Sequence, residues 1–165
     1  MKTLLIALIA TLLAAPVLAE TYNIPEKNPI ITVEVPDKGW EVTKIARGIE
    51  MSDDDDDVYL SIEGVDGSNS KEVAASAMAY LSRQGVKIDP ETKTEKEGKL
   101  GEFPVYELGW KGEDKDGDDV IVRLLVLTVT PQRGVMITYW ADPEGDKKHE
   151  DTIRAMIASI RKIDG

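Results

Sequence analysis

The chain has 165 residues, of which 42% are apolar and 31% are charged, and this length suits a single domain. Its 20 Lys and Arg residues against 31 Asp and Glu residues give a net charge of −11, which argues against nucleic acid or an anionic membrane as partner, because both require clustered Lys and Arg. The chain has no cysteine, so disulfides, Cys-ligated zinc, a thiolate nucleophile and iron–sulfur clusters are excluded.

The N-terminus has the pattern of a secretory signal peptide. Lys2 precedes an apolar run that ends before Pro16, and Ala19 is the small residue that signal peptidase requires. The run is shorter than the roughly 20 residues that span a bilayer, and no cysteine is present for a lipoprotein anchor. We therefore predict a signal peptide at residues 1–19, cleavage before Glu20, a periplasmic or secreted protein, and no membrane insertion after cleavage.

Alternating apolar and polar residues predict three strands in the first half of the mature chain. A helix follows, because Asn69 and Glu72 have capping-box spacing and Gly85 is a typical C-terminal stop. The first predicted strand is residues 31–35, followed by a turn at 36–39 and extended residues 40–42. Ile45, Ile49 and Met51 mark a weak second strand, and residues 58–63 are the third.

The second half is predicted as a charged loop, three strands and a terminal helix. Residues 86–101 form the loop, with room for one short edge strand. Residues 120–130 are apolar on both faces, as in a central strand, and Asp116-Gly117 provides a hairpin turn before it. The other two strands are residues 103–110 and 135–140, and the helix has its apolar stripe at Ile153, Met156, Ile157, Ile160 and Ile163, with Asp146 as predicted N-cap.

These elements predict an α+β fold: an antiparallel sheet of about six strands with helices packed on it. Residues 20–29 are a lead-in, and residues 30–165 form one domain.

The acidic residues are concentrated in two connections. Residues 53–57 are five consecutive aspartates, and residues 113–119 contain five acids and Lys115. Counting strand directions puts both connections, together with residues 141–144, at the same end of the sheet, provided that residues 93–99 form a strand. The sequence therefore predicts an acidic rim made of three connections.

Three roles for this rim remain open. Carboxylates bind Ca²⁺, with Asp53, Asp55, Asp57, Asp114, Asp116 and Asp118 as candidate ligands; no other cofactor is predicted. The EF-hand pattern is absent, because Gly112 stands at the first ligand position and Arg123 at the glutamate position. A basic protein partner is the second role, and solvated turns that keep the protein soluble are the third.

Catalytic motifs are missing from the sequence, and we predict that the protein is not an enzyme. His149 is the only histidine, which excludes a multi-histidine metal site; it is read as a partly exposed residue beside the apolar stripe of the helix. There is no Gly-x-Ser-x-Gly nucleophile motif. Trp40, Trp110 and Trp140 are core residues or line a ligand groove, and Arg123 is expected to pair with a carboxylate, with Glu107 as candidate.

The order of elements resembles the PsbP-like (Mog-type) α/β/α sandwich. The matching pieces are Val-Pro-Asp-x-Gly-Trp at residues 35–40, Gly-Glu-Phe-Pro at residues 101–104, and Ile-Ala-Ser-Ile-Arg at residues 157–161. The resemblance implies a binding role, here an exported protein that engages a partner through its acidic loops or its sheet face. A calcium-responsive structural protein of the cell envelope and a secretion-system immunity or chaperone-like protein are the alternatives.

Overall fold

The computed structural model describes residues 19–66 and 70–163, without the side chains of residues 70–73. The predicted signal peptide, apart from Ala19, lies outside these residues, as do Asn69 and the side chain of Glu72 of the predicted capping box. Among the described residues no helix is both long enough and apolar enough to cross a membrane. The elements are β1 (Ala19–Ile24), β2 (Ile31–Pro36), β3 (Trp40–Ile45), β4 (Gly48–Asp53), β5 (Val58–Asp66), α1 (Ser70–Arg83), β6 (Lys87–Leu100), β7 (Phe103–Glu113), β8 (Asp119–Thr128), β9 (Arg133–Ala141), α2 (Pro143–Ala158) and β10 (Arg161–Lys162).

The strands form two antiparallel sheets. The larger sheet has seven strands in the order β3-β4-β5-β9-β8-β7-β6, and the smaller has three in the order β1-β2-β10. The predicted sheet of about six strands is therefore too small, although the α+β class is correct.

Helix α1 packs on one face of the larger sheet, and α2 packs with the smaller sheet on the other. Strand β8 shows why its sequence is apolar on both faces. Its Leu124 packs with Ala77 of α1, whereas Leu127 belongs to the core that includes Ile153 of α2. Burial on both sides stabilises this central strand.

Two predictions for the first and middle parts of the chain are corrected here. Five residues of the predicted lead-in, together with Ala19, form β1, which pairs with β2 from Ala19 opposite Pro36 to Ile24 opposite Ile31. The predicted charged loop contains the 14-residue edge strand β6. Most side chains of β6 are exposed, so its sequence lacks the alternation that marks a half-buried strand. Its charged residues are typical of an edge that resists pairing with other chains.

The start of α2 is also corrected. Asp142, not Asp146, is the N-cap: its side chain accepts a hydrogen bond from the Gly145 backbone N–H at 2.6 Å. Pro143 at the first helical position fits this start, because its φ is already helical and it has no N–H to satisfy. Asp146 lies in the first turn and instead accepts a hydrogen bond from the Tyr139 hydroxyl at 2.6 Å.

Candidate binding cleft

A cleft of about 990 Å³ lies at one end of the larger sheet. The β4–β5, β7–β8 and β9–α2 connections all line it, as the strand count predicted, because β6 is a full strand and keeps the count of directions intact. Among the described residues that line the cleft, Lys115 is the only basic one. The acidic lining residues are Glu41, Glu50, Asp56, Asp57, Asp114, Asp116, Asp118, Asp119, Asp142 and Glu144.

The β4–β5 connection is held firmly against the start of α2. Asp53 is only 2% exposed; its Oδ1 accepts a hydrogen bond from the Val58 N–H at 2.8 Å, and its Oδ2 lies 3.0 Å from His149 Nε2. The Asp142 N–H donates to the Asp57 carbonyl at 3.1 Å. Gly145 packs so closely that an added Cβ would lie 2.7 Å from the Asp57 Cβ. Part of this aspartate run is therefore structural.

Lys148 provides the positive charge within this connection. Its Nζ lies 2.5 Å from Asp55 Oδ2, 3.6 Å from Asp53 Oδ2 and 3.8 Å from Asp57 Oδ2. The hydrogen bond from Lys148 lowers the pKa of Asp55, and the same bond raises the pKa of Lys148. Asp54 and Asp56 remain exposed. The role of Lys148 could not be predicted from the sequence, because its hydrogen bond to Asp55 joins residues 93 positions apart in the chain.

The six predicted calcium ligands separate into two groups. Carboxylate oxygens of Asp53, Asp55 and Asp57 lie within 4.8 Å of one another, and this is the only such group of three found in the described part of the chain. Asp114 instead shapes its own turn: its Oδ1 accepts hydrogen bonds from the backbone N–H groups of Asp116 at 2.8 Å and Asp118 at 2.9 Å. These backbone hydrogen bonds, that from Asp118 foremost, lower the pKa of Asp114. The calcium site stays a prediction.

Three aromatic rings form part of the cleft wall, and we call them the aromatic stack. Tyr59 of β5 and Trp140 of β9 are directly paired in the sheet, with ring centroids 6.3 Å apart and planes 22° apart. Tyr80 of α1 stacks on Tyr59 at 5.2 Å and 27°. The Tyr59 hydroxyl donates to Glu50 Oε2 at 3.1 Å, and burial, the largest cause, raises the Tyr59 pKa.

The indole nitrogen of Trp140 is unusual. It is buried, and no acceptor for its N–H lies among the described residues. A buried polar group without a partner costs about 1–3 kcal/mol, and buried indoles usually find one. Of the two readings given above for the tryptophans, Trp40 is a core residue at 9% exposure, whereas Trp140 lines the cleft.

Two further predictions concern single residues. The His149 side chain is 15% exposed and is covered by the Trp40 ring, whose centroid lies 5.2 Å from that of the imidazole. The predicted Arg123–Glu107 pair was wrong. Arg123 pairs with Asp146 at 3.8 Å and lies over the Tyr139 ring at 5.6 Å, on the α2 face of the sheet.

Comparison with known proteins finds similarity at the level of structure. No protein-family model matches the chain, and no curated protein sequence matches it significantly. The solution structure of cyanobacterial PsbP (CyanoP) from Synechocystis sp. PCC 6803 superposes with a TM-score of 0.57 at 10% identity, covering 91% of this chain and 95% of that one. The fold is PsbP-like.

A second structural neighbour is LpqN, described as involved in cell envelope biogenesis of Mycobacterium tuberculosis. Its crystal structure superposes with a TM-score of 0.51 at 15% identity, covering 88% of this chain and 92% of LpqN. The fold resemblance predicted from the sequence is therefore confirmed.

Proposed function

We propose that this protein is an exported, non-enzymatic binding protein that takes a basic segment of a partner protein into the acidic cleft. The observation that carries the proposal is that, among the described residues, ten carboxylate side chains and one lysine line a single cleft of about 990 Å³. Fields from like charges add inside a concave, low-dielectric surface, so this cleft attracts a cationic segment and orients it before contact.

The other groups that could do chemistry are used structurally. His149 pairs with the buried Asp53 and packs against Trp40, so its ring is committed to holding α2 on the β4–β5 connection. Export to the envelope is supported by the signal-peptide pattern at residues 1–19 and is consistent with LpqN as structural neighbour. A secretion-system immunity or chaperone-like role would use the same cleft, with a basic effector as partner.

The test compares two variants of equal charge change. Asp56, Asp116 and Asp118 are exposed and line the cleft; changing all three to Asn leaves Asp114, which shapes the turn, in place. The control changes Glu91, Glu97 and Glu102 to Gln, three exposed acids that do not line the cleft. The probe is a fluorescent Gly/Ser peptide with alternating basic residues, titrated by anisotropy at low and physiological salt.

We expect the cleft variant to bind the peptide about tenfold more weakly than the parent, and the control to bind nearly as well. Binding by the parent should also weaken as salt rises, because exposed charges are screened. Equal losses in the two variants would mean that net charge, not the cleft, attracts the peptide, and the proposal would fail.

A calcium-responsive structural role is the second candidate. The observation that favours it is the approach of Asp53, Asp55 and Asp57 to within 4.8 Å of one another. The Lys148 ammonium lies among the same three carboxylates, however, and a divalent cation would have to displace it. A basic partner would instead contact the exposed acids of the cleft, such as Asp116 and Asp118, where it would not have to displace Lys148.

A further inference from the structure

We infer that the aromatic stack receives an arginine side chain of the bound segment, and that the cleft therefore prefers arginine to lysine. This inference rests on the proposed function and names the chemistry of its ligand. It is carried by the three rings and not by the number of acids around them.

The stack provides a continuous aromatic surface beside a carboxylate. Neighbouring rings are stacked, with planes 22° and 27° apart, so Tyr59, Tyr80 and Trp140 form a run of nearly parallel rings. Glu50 accepts a hydrogen bond from the Tyr59 hydroxyl with Oε2, which places a carboxylate beside these rings. A guanidinium can lie flat on an aromatic ring and donate from its edge to a carboxylate at the same time.

The indole of Trp140 supports a role in recognition. Its buried N–H has no acceptor in the described part of the molecule, so a phenyl ring would fill this position without an unsatisfied group. The indole is kept at a cost in stability, and indole is also the ring that binds cations best through its face. Selection for the π face explains a residue that packing alone would not favour.

The chain itself places a guanidinium against the stack. The Arg83 Cζ atom lies 6.0 Å from the centroid of the Tyr80 ring, at the outer limit of cation–π contact. Arg83 does not line the cleft, so it approaches Tyr80 from outside. The preference for arginine follows from the hydration of the two cations. A lysine ammonium is compact and strongly hydrated, whereas a guanidinium is planar and more weakly hydrated. The guanidinium therefore loses less hydration free energy when it moves from water onto a ring surface.

The test uses two Gly/Ser peptides that differ only in carrying arginine or lysine at the basic positions. The variants are Trp140→Phe and Tyr80→Leu, and the matched control is Tyr106→Leu, which removes an exposed ring outside the cleft. Thermal melts accompany each titration. Trp140→Phe keeps a ring in place and removes the unpaired N–H, so it remains informative if Tyr80→Leu fails to fold.

We expect the parent to bind the arginine peptide about fivefold to tenfold more tightly than the lysine peptide. Trp140→Phe should reduce that preference while its melting temperature stays equal or rises, and Tyr106→Leu should leave the preference unchanged. Equal affinity for the two peptides in the parent would overturn the arginine inference and leave the proposed function standing. No binding of either peptide would overturn the proposed function as well.

Discussion

Asp53 shows how one residue of an apparently solvent-exposed run becomes structural. Its neighbours Asp54, Asp55 and Asp56 are exposed, but Asp53 is 2% exposed. A buried carboxylate is tolerated only when its oxygens are paired and hydrogen-bonded. Here Oδ1 accepts a hydrogen bond from the Val58 N–H, and Oδ2 lies 3.0 Å from His149 Nε2 and 3.6 Å from the Lys148 ammonium.

We therefore expect Asp53→Ala to lower the free energy of unfolding by about 3 kcal/mol, because it leaves a buried N–H and a histidine without their partner. Urea unfolding followed by tryptophan fluorescence measures this loss. The control is Asp54→Ala, next in the chain and exposed, which should change stability little. A loss of similar size in both variants would show that the burial of Asp53 is not what matters.

Lys148 decides how the β4–β5 connection responds to cations. Its ammonium neutralises charge among three carboxylates that otherwise lie close enough to share a metal ion. Removing it leaves those carboxylates mutually repelling, and a divalent cation would relieve that repulsion.

We expect Lys148→Ala to be stabilised by millimolar Ca²⁺ and the parent to respond much less. Ligand at a hundredfold excess over its dissociation constant stabilises a protein by about 2.7 kcal/mol, a shift that a thermal melt detects readily. Lys147→Ala, which removes the exposed neighbouring lysine, is the control for charge. A large Ca²⁺ shift in the parent would instead favour the calcium-responsive role.

At the scale of elements, the first turn of α2 and the β4–β5 hairpin behave as one unit. Gly145 allows their close approach, because an added Cβ would meet the Asp57 Cβ at 2.7 Å and the Asp57 carbonyl oxygen at 2.9 Å. The Asp142 N–H adds a hydrogen bond between the two elements. Both elements line the cleft, so their contact fixes the relative position of two of its lining segments.

Alanine is normally the better helix former by about 1 kcal/mol, yet we expect Gly145→Ala to destabilise the protein by about 1–3 kcal/mol, because the hairpin must move away from the helix. Chemical denaturation measures the change. Glu144→Ala, one position earlier and exposed, provides the comparison and should be nearly neutral. A Gly145→Ala variant with a higher free energy of unfolding would show that the hairpin can move away from the helix without loss of stability.

At the scale of the whole molecule, the antiparallel sheet explains why the acidic connections meet. Each hairpin reverses the chain, so alternate connections return to the same end of the sheet. The β4–β5, β7–β8 and β9–α2 connections therefore face one cleft, and most of the surplus negative charge gathers there. One face of the sheet carries α2 and the smaller sheet, and the binding surface that we propose is the end with the cleft.

Elements that bury one or both faces could be predicted from the sequence, because burial gives their apolar residues a regular spacing. The two-sided strand β8, the alternating strands β2 and β5, and the first part of the apolar stripe of α2 were predicted on that basis. Ile160 and Ile163, which were predicted to continue that stripe, lie beyond the end of α2 at Ala158. The α+β class and the meeting of the acidic connections followed from their order. Asp142 was missed as the N-cap because several acids near the start of α2 have the right chemistry.

Contacts between side chains that are far apart in the chain could not be predicted from the sequence. Strand β6 is exposed over most of its length and β10 has only two residues, so neither strand shows a regular spacing of apolar residues in the sequence. The Lys148 contacts and the aromatic stack join different elements, and local sequence does not encode such distances. Strand pairing and helix packing determine these contacts, because distant residues meet only when the sheet and its helices have formed.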